Sequence, residues 1–440
     1  MRPALTIAAW NALSRLTGFA RVLTVTAVLG ATFLGNTYQQ SNLVSTVLFE
    51  LLAAGLLTVP LIPALVARPH DAERLLGALW GLSLLLLGML ALLLATLARP
   101  VMAALTSAAP AGVAQQQTAL GAFLLWFFAP QLVLYAAGAI TSAYLNARGR
   151  FSAAAAGPVA NNVVVIATMG VFLAVEGSSR SLDVSTAGRV VLGVGTTLGV
   201  AAMSALPAIA AARDGLRLRP TFGWREPRVL TVAREGLWAG SLIGAQQVLL
   251  AATLVLANRI EGGVVATQLA FTFFLLPHAL LAHPIYTSVF PSLAAHAAAG
   301  DDAGLRADVR RAMKRMLLVL LPAAAALMIL GEIGLRVLRI GAFQGAGVTL
   351  TAGALRAYCV GLAGYGVFML LCRAWAALGE TRTAGLVAMS TGLMGAAAMI
   401  VVSLISDGAA LISGLALSHS LTMTLAALLL AGLLMRRLRT

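Results

Sequence analysis

Charge is what this sequence has least of. Only 10% of its residues are charged, acidic side chains number 15, and lysine occurs once, at Lys314, among 30 basic residues. A water-soluble domain carries roughly 25% charged residues, so a chain that is 60% hydrophobic with a mean hydropathy of +0.93 does not have water as its main solvent. Cysteine is almost absent too. Cys359 and Cys372 fall 13 residues apart in one apolar segment, about 20 Å if that segment is a straight helix, which excludes a disulfide and leaves two packing residues silent on redox compartment. There is no HExxH, no cysteine–histidine cluster at ligand spacing and no Walker phosphate loop. Gly193, Gly195 and Gly199 lie inside an apolar run, where such spacing means close helix contact. No catalytic residue, metal or cofactor is therefore expected. Energy for any transport would come from an ion gradient, the membrane potential or the substrate's own gradient.

What is present is a succession of long apolar runs. Helices are predicted over 5–33, 42–66, 75–98, 118–146, 153–175, 189–212, 235–258, 264–297, 312–340, 352–378, 383–405 and 409–435. Hydrocarbon offers a single span no other way to satisfy its backbone. The first run is a span, too long for the apolar part of a signal peptide. The net charge of +15 does not imply a nucleic-acid partner, because the arginines sit in the connections between spans. At the start and after even-numbered spans lie 20 basic residues, Arg2, Arg68, Arg74, Arg148, Arg150, Arg213 and Arg217 among them; the other side has six, Arg99, Arg180, Arg189, Arg259, Arg336 and Arg339. Basic connections stay cytoplasmic, so both termini are placed inside.

The longest polar connection, Arg213 to Arg234, holds Pro220, Gly223 and Pro227 and divides the chain into a lobe at 1–215, a cytoplasmic linker at 216–234 and a lobe at 235–440. Span two closes with Ile62-Pro63-Ala64-Leu65-Val66-Ala67-Arg68 and span eight with Phe290-Pro291-Ser292-Leu293-Ala294-Ala295-His296, at an offset of 228 residues. Span four closes Ala143-Tyr144-Leu145-Asn146-Ala147-Arg148-Gly149-Arg150, and span ten Ala374-Trp375-Ala376-Ala377-Leu378-Gly379-Glu380-Thr381-Arg382, at about the same offset. The expected fold is an all-α polytopic membrane protein of about 12 transmembrane helices, in two pseudo-symmetric six-helix lobes around a central cavity.

Four basic residues fall inside spans. Arg356 and Arg373 are near the ends of span ten and can snorkel. Arg15 and Arg21 are deep in span one, where an arginine costs at least about 2.5 kcal/mol, and must face protein or water. Gly18 between them is a candidate hinge, and Asn11 extends the polar face. Span two answers with Asn42, Thr46 and Glu50 at i, i+4 and i+8. Two readings stand: an ion pair of Arg15 or Arg21 with Glu50 stapling the two spans, or an anion site in a water-filled cleft with Glu50 as counter-ion. Guanidinium suits bidentate phosphate binding. Asn161, Asn162, Gln246, Gln247, Thr267, Gln268, His278 and His283 read as interhelical hydrogen-bonders, and His419 as a packed, satisfied histidine.

At Ser14-Arg15-Leu16-Thr17-Gly18-Phe19-Ala20-Arg21 the chain resembles the MurJ (MviN) lipid II flippases of the multidrug/oligosaccharidyl-lipid/polysaccharide exporter superfamily. The resemblance continues through Leu145-Asn146-Ala147-Arg148-Gly149-Arg150-Phe151, Gly157-Pro158-Val159-Ala160-Asn161-Asn162, Phe290-Pro291-Ser292-Leu293, Gly341-Ala342-Phe343 and Arg373 to Thr383. It implies alternating access and an undecaprenyl-diphosphate-linked glycan moved from the inner to the outer leaflet of the bacterial cytoplasmic membrane, a role in cell-wall synthesis. Arg15 and Arg21 would then hold the diphosphate. The partners implied are membrane lipid, the lipid-linked substrate and cell-wall synthesis enzymes. The chain departs from the family at Asn36 (usually aspartate), at Phe49 and Ala54 (arginine and glutamate) and at Phe271 and Thr272 (an aspartate–arginine pair), and it lacks two C-terminal helices. A flippase for another polyprenyl-linked glycan, a multidrug antiporter and a non-transporting scaffold for cell-wall enzymes are the other readings. The topology is checked directly: a reporter after Thr440 should be cytoplasmic, cysteines near Gly112 or Ser178 should label from outside, and outside labelling at Pro220 would overturn the orientation.

Overall fold

A chain dissolved in hydrocarbon must close its backbone hydrogen bonds within each span, and helices are what the described residues contain, with no strand among them. The computed structural model describes residues 2–51, 61, 65, 72–177, 180–221, 227–337, 341 and 343–438, with the backbone alone at 2–8, 11 and 227–240. Outside that set lie several residues of the motifs and labelling sites above and of the basic residues counted on the two sides: the side chains of Arg2, Asn11, Pro227, Arg228 and Arg234, and all of Ala54, Pro63, Arg68, Ser178, Gly223, Arg225, Arg339, Ala342, Arg439 and Thr440.

The helices are α1 (Arg2–Leu29), α2 (Phe33–Phe49), α3 (Ala72–Thr96), α4 (Ala98–Leu105), α5 (Ala111–Phe128), α6 (Gln131–Ala147), α7 (Phe151–Glu176) and α8 (Thr186–Arg213). There follow α9 (Pro227–Ala257), α10 (Gly263–Pro277), a π-helical turn at His278–Ala282, α11 (His283–Ala298), α12 (Asp302–Val337), α13 (Ala346–Val360), α14 (Leu362–Ala377), α15 (Thr381–Ile405) and α16 (Gly408–Arg437). Nine helical segments among the described residues are long and apolar enough to cross a bilayer, or ten if the bent pair α13–α14 is one span. This is a multi-pass membrane protein.

The ends have local causes. Gly30, with φ 73°, stops α1, and Thr32 caps α2 by accepting from the Gly35 amide at 3.2 Å. Span two therefore begins at Phe33 rather than at 42; the polar residues that seemed to form a loop are packed helix. Span ten is not straight: α13 and α14 are bent by 50° at Gly361, so the straight-helix separation of Cys359 and Cys372 does not apply, although both thiols are free and buried. Leu216 to Thr221, read as linker, lies along α3, where the Thr221 amide donates to Gly77 O at 3.0 Å. Beyond the last turn of α11, Asp301 takes the Gly304 amide at 2.8 Å and sits 2.8 Å from His296. Those bonds, the amide first, hold its carboxyl below the usual carboxylate range.

The chain divides into two compact units, Met1–Gly240 and Ser241–Thr440, and the second repeats the first. In the first unit α1 packs on α7, α2 on α5, α3 and α8 on α6, and α7 on α8. In the second α10 packs on α13, α11 and α12 on α14, α14 on α16, and α15 on α16, while Gly392 and Gly395 of α15 seat against Ala245 and Leu249 of α9. Irregularities repeat as well. A π turn begins at Glu50 and another at His278. Span four breaks at Pro130 and span ten at Gly361. Left-handed Gly149 and Gly379 close α6 and α14 alike, with Arg150 N–Leu145 O at 2.8 Å and Glu380 N–Trp375 O at 3.0 Å.

Glycine at some of these contacts is required by space. A Cβ on Gly195 would fall 2.3 Å from Thr168 Cγ2, and one on Gly361 would fall 2.5 Å from the Cα of Ser420. Gly361→Ala should therefore push α16 off the bend and cost about 1–3 kcal/mol as overpacking. Gly432→Ala, which meets nothing within 4 Å, should leave thermal unfolding in detergent unchanged; equal melting of the two variants would contradict the close approach.

Candidate anion-binding site

The first unit's polar residues divide between two tasks. Asn36, Thr37, Gln40, Ser41 and Ser45 on α2 are buried and fasten it to its neighbours. Gln40 donates to Leu105 O at 3.1 Å, Gln117 of α5 donates to Phe33 O at 3.2 Å, and Ser45 donates to Phe128 O at 2.9 Å. Tyr38 Oη meets Thr196 Oγ1 of α8 at 2.9 Å. Gln131 donates to Thr197, which itself donates to Phe127 O. Bonds of this kind fix rotation as well as position, because an unpaired polar group in a membrane interior is costly.

So fastened, α2 directs Thr46, Phe49 and Glu50 toward α6. Thr46 Oγ1 lies 3.4 Å from Tyr135 Oη, and the Phe49 and Tyr135 rings are 5.2 Å apart. Both Arg21 and Glu50 act electrostatically on Tyr135, and Arg21 also acts on Tyr38. The half-buried guanidinium of Arg21 thus acts on the two tyrosines that α2 and α6 bring toward it. No salt bridge of Arg15 or Arg21 is formed among the described residues, so the ion-pair staple is not made here. A guanidinium with no salt bridge among the described residues can receive an oxyanion.

Arg15 is exposed on the same helix and is not drawn into the Tyr38–Tyr135 group. Helix α1 runs unbroken through Gly18, whose position is opposite Asn162 of α7; Asn162 donates to Thr17 Oγ1 at 3.1 Å. Asn42 is buried. Tyr38, Tyr135 and Thr196 were missed in the sequence. The available signal was scarcity: there are six tyrosines, and Tyr135 precedes Tyr365 by about the repeat offset. Elsewhere Arg356 pairs with Glu332, which also holds Arg336, and Arg373 lies 5.7 Å from the Tyr286 ring centre. His419 is packed but not satisfied, since its Nδ1 has no hydrogen-bond partner among the described residues.

The family model described as "Lipid II flippase MurJ" matches residues 25–440, a span that begins after Arg15 and Arg21. A probable lipid II flippase MurJ of Haemophilus influenzae is 26% identical over 408 residues, 87% of this chain and 77% of that protein. Among solved structures, a lipid II flippase MurJ in an inward closed conformation superposes with a TM-score of 0.80 at 19% identity, covering 97% of this chain and 87% of the other. An inward-facing multidrug resistance MATE family transporter of the MOP superfamily reaches 0.73 at 17% identity, over 99% and 98%.

The Tyr38–Thr196 bond ties α2 to α8 at a tyrosine on which Arg21 acts. Tyr38→Phe and Thr196→Val should each destabilise by about 0.5–1.5 kcal/mol, and the double variant by less than their sum. Additive losses in thermal unfolding would mean that the two hydroxyls do not act on each other.

Proposed function

The chain belongs to the lipid II flippase MurJ family, and from that premise we propose that it carries an undecaprenyl-diphosphate-linked cell-wall precursor from the inner to the outer leaflet by alternating access, with Arg15 and Arg21 receiving the diphosphate. The observation that carries the residue-level reading is that Arg21 forms no salt bridge among the described residues while its charge acts on Tyr38 and Tyr135. A diphosphate offers oxygens for bidentate contact with a planar guanidinium and for donation from phenol hydroxyls. Glu50 is the counter-ion when substrate is absent, and it offsets one of two positive charges. Asn11, Asn42 and Thr46 continue the polar face, and Gly18 is the hinge that brings Arg15 to the same ligand. Binding and release need no cofactor; an ion gradient or the membrane potential supplies direction.

In this reading the protein sits in the bacterial cytoplasmic membrane with both termini inside, where the basic connections hold them, alongside the enzymes that make and consume the precursor. Multidrug export draws support from the fold likeness alone. Cation coupling of that kind uses a cluster of carboxylates, and the candidate site has Glu50.

The test is binding of an undecaprenyl-diphosphate lipid to purified wild type, Arg15→Ala, Arg21→Ala and the two lysine variants at matched melting temperature. Each alanine should cost about 1.5–3 kcal/mol, roughly tenfold or more in affinity, and lysine should restore little because it loses the planar fork. Wild-type affinity in the alanine variants would make these arginines structural. Glu50→Gln should lower abundance or shift the conformational equilibrium with lipid binding retained; loss of binding would place the carboxylate on the substrate.

A further inference from the structure

The second unit has, at the position equivalent to Glu50 and Tyr135, a different pair. His278 opens the π turn of span eight, 228 residues after Glu50, and its ring centre lies 4.7 Å from that of Tyr365 on α14. Tyr365 is in turn 6.4 Å from His419 on α16. On the other side His278 is 6.0 Å from Tyr286, and Tyr286 is 5.1 Å from the exposed His283. A row of titratable rings thus leads from an exposed histidine to a buried one, with His278, Tyr365 and His419 each more than nine-tenths buried.

His419 stands in an aromatic cage. Phe271 and Tyr358 lie 5.4 and 5.5 Å from it and nearly perpendicular, with Phe274 and Tyr365 each at 6.4 Å. Its Nδ1 is buried without a hydrogen-bond partner among the described residues. An orphaned ring nitrogen costs on the order of 1–3 kcal/mol, and an ionisable residue kept in a span at that cost points to function. Aromatic faces are what favours a cation where no anion is available. No aspartate or glutamate lies on α10, the π turn, α11, α13, α14 or α16, and those of α12 lie toward its two ends.

We propose that the row His278–Tyr365–His419 is a proton-binding and proton-transfer site, in which His419 holds the transferred proton within its aromatic cage. The titratable groups facing His419 are Tyr358 from α13 and Tyr365 from α14, while α10 carries none and α15 carries only Arg382, at its start. Tyr286 and Cys372 act on Tyr365, and Arg373 stands over Tyr286. Helix α12, which packs on the π turn, keeps its titratable residues to Asp302–Arg315 and to Glu332 and Arg336 near its far end. The step is a proton exchange: an imidazole nitrogen lone pair takes H+ from hydronium, an N–H bond forms as the O–H bond breaks, and the reverse returns the proton to water. Tyr365 stands between the two imidazoles without a hydrogen bond to either among the described residues, and it relays when its hydroxyl turns to meet them, donating its proton as it accepts another. The row is the second unit's counterpart of the Glu50–Tyr135 pair, with an imidazole in place of a carboxylate.

What the proton drives rests on the flippase reading; that it binds does not. The first measurement is histidine nitrogen resonances of the purified protein between about pH 5 and 8, assigned with His419→Gln and His278→Gln. A His419 resonance that moves between the neutral and the cationic position supports the site, and one that stays neutral throughout overturns it. The second is transport of an undecaprenyl-diphosphate lipid in vesicles with and without a pH gradient. His419→Gln, His278→Gln and Tyr365→Phe should bind the lipid within twofold of wild type yet lose at least tenfold of the gradient's stimulation. Undiminished stimulation in all three overturns the proposal, and Tyr365→Phe, which loses one oxygen, guards against a folding defect. If wild type binds no such lipid, the flippase reading fails and the resonance titration alone decides the proton site.

Discussion

Hydrocarbon gives a polar group nothing to bond to, and most of what is specific in this protein follows from that constraint. It makes every span a helix, and it also decides which side chains can be allowed into the spans. The buried polar face of α2 is tolerated because Gln40, Ser45 and Tyr38 find partners on α4, α5 and α8. Once those bonds are made α2 cannot rotate without breaking several at once, and Thr46 and Glu50 are held facing Tyr135. Arg21 is half-buried and acts on two phenols, with no tight ion pair among the described residues. A guanidinium held this way keeps most of its attraction for an outside anion, whereas one locked to a carboxylate would have to give that bond up first.

Duplication adds a second consequence. The π turns at Glu50 and His278, the breaks at Pro130 and Gly361, and the left-handed caps at Gly149 and Gly379 show one scaffold used twice. A π turn places an extra residue in the helix and re-aims the side chains around it. In the first unit that residue is a carboxylate beside a tyrosine, near arginine. In the second it is an imidazole beside a tyrosine, leading to a caged histidine with no carboxylate on the packed helices. One geometry thus carries two chemistries, set by the residues placed at equivalent positions.

Much of this could be read from the residues in order. Apolar runs, the arginine bias and the absence of charged clusters depend on neighbours in the chain, so they were enough for an all-helical membrane protein, for the repeat offset and for Arg21 as a residue that needs an explanation. Helix ends were harder where polar residues were packed: Asn36 to Ser41 looked like a connection because hydropathy counts a glutamine as exposed whether or not Leu105 O is waiting for it. The bend at Gly361 and the seating of Leu216–Thr221 on α3 depend on what lies across the contact, and no spacing rule contains that. Tyr38 and Thr196 lie 158 residues apart and Thr46 and Tyr135 lie 89 apart, and their meetings are facts of packing. The same holds for His419, whose identity as a satisfied or an orphaned imidazole depends on the four aromatic neighbours that folding brings to it. The sequence by itself determined the solvent, the spans and the charges that must be answered; the tertiary structure alone decided which groups answer them, because a hydrogen bond or an electrostatic contact needs two atoms within a few ångströms and the chain separates those atoms by scores of residues.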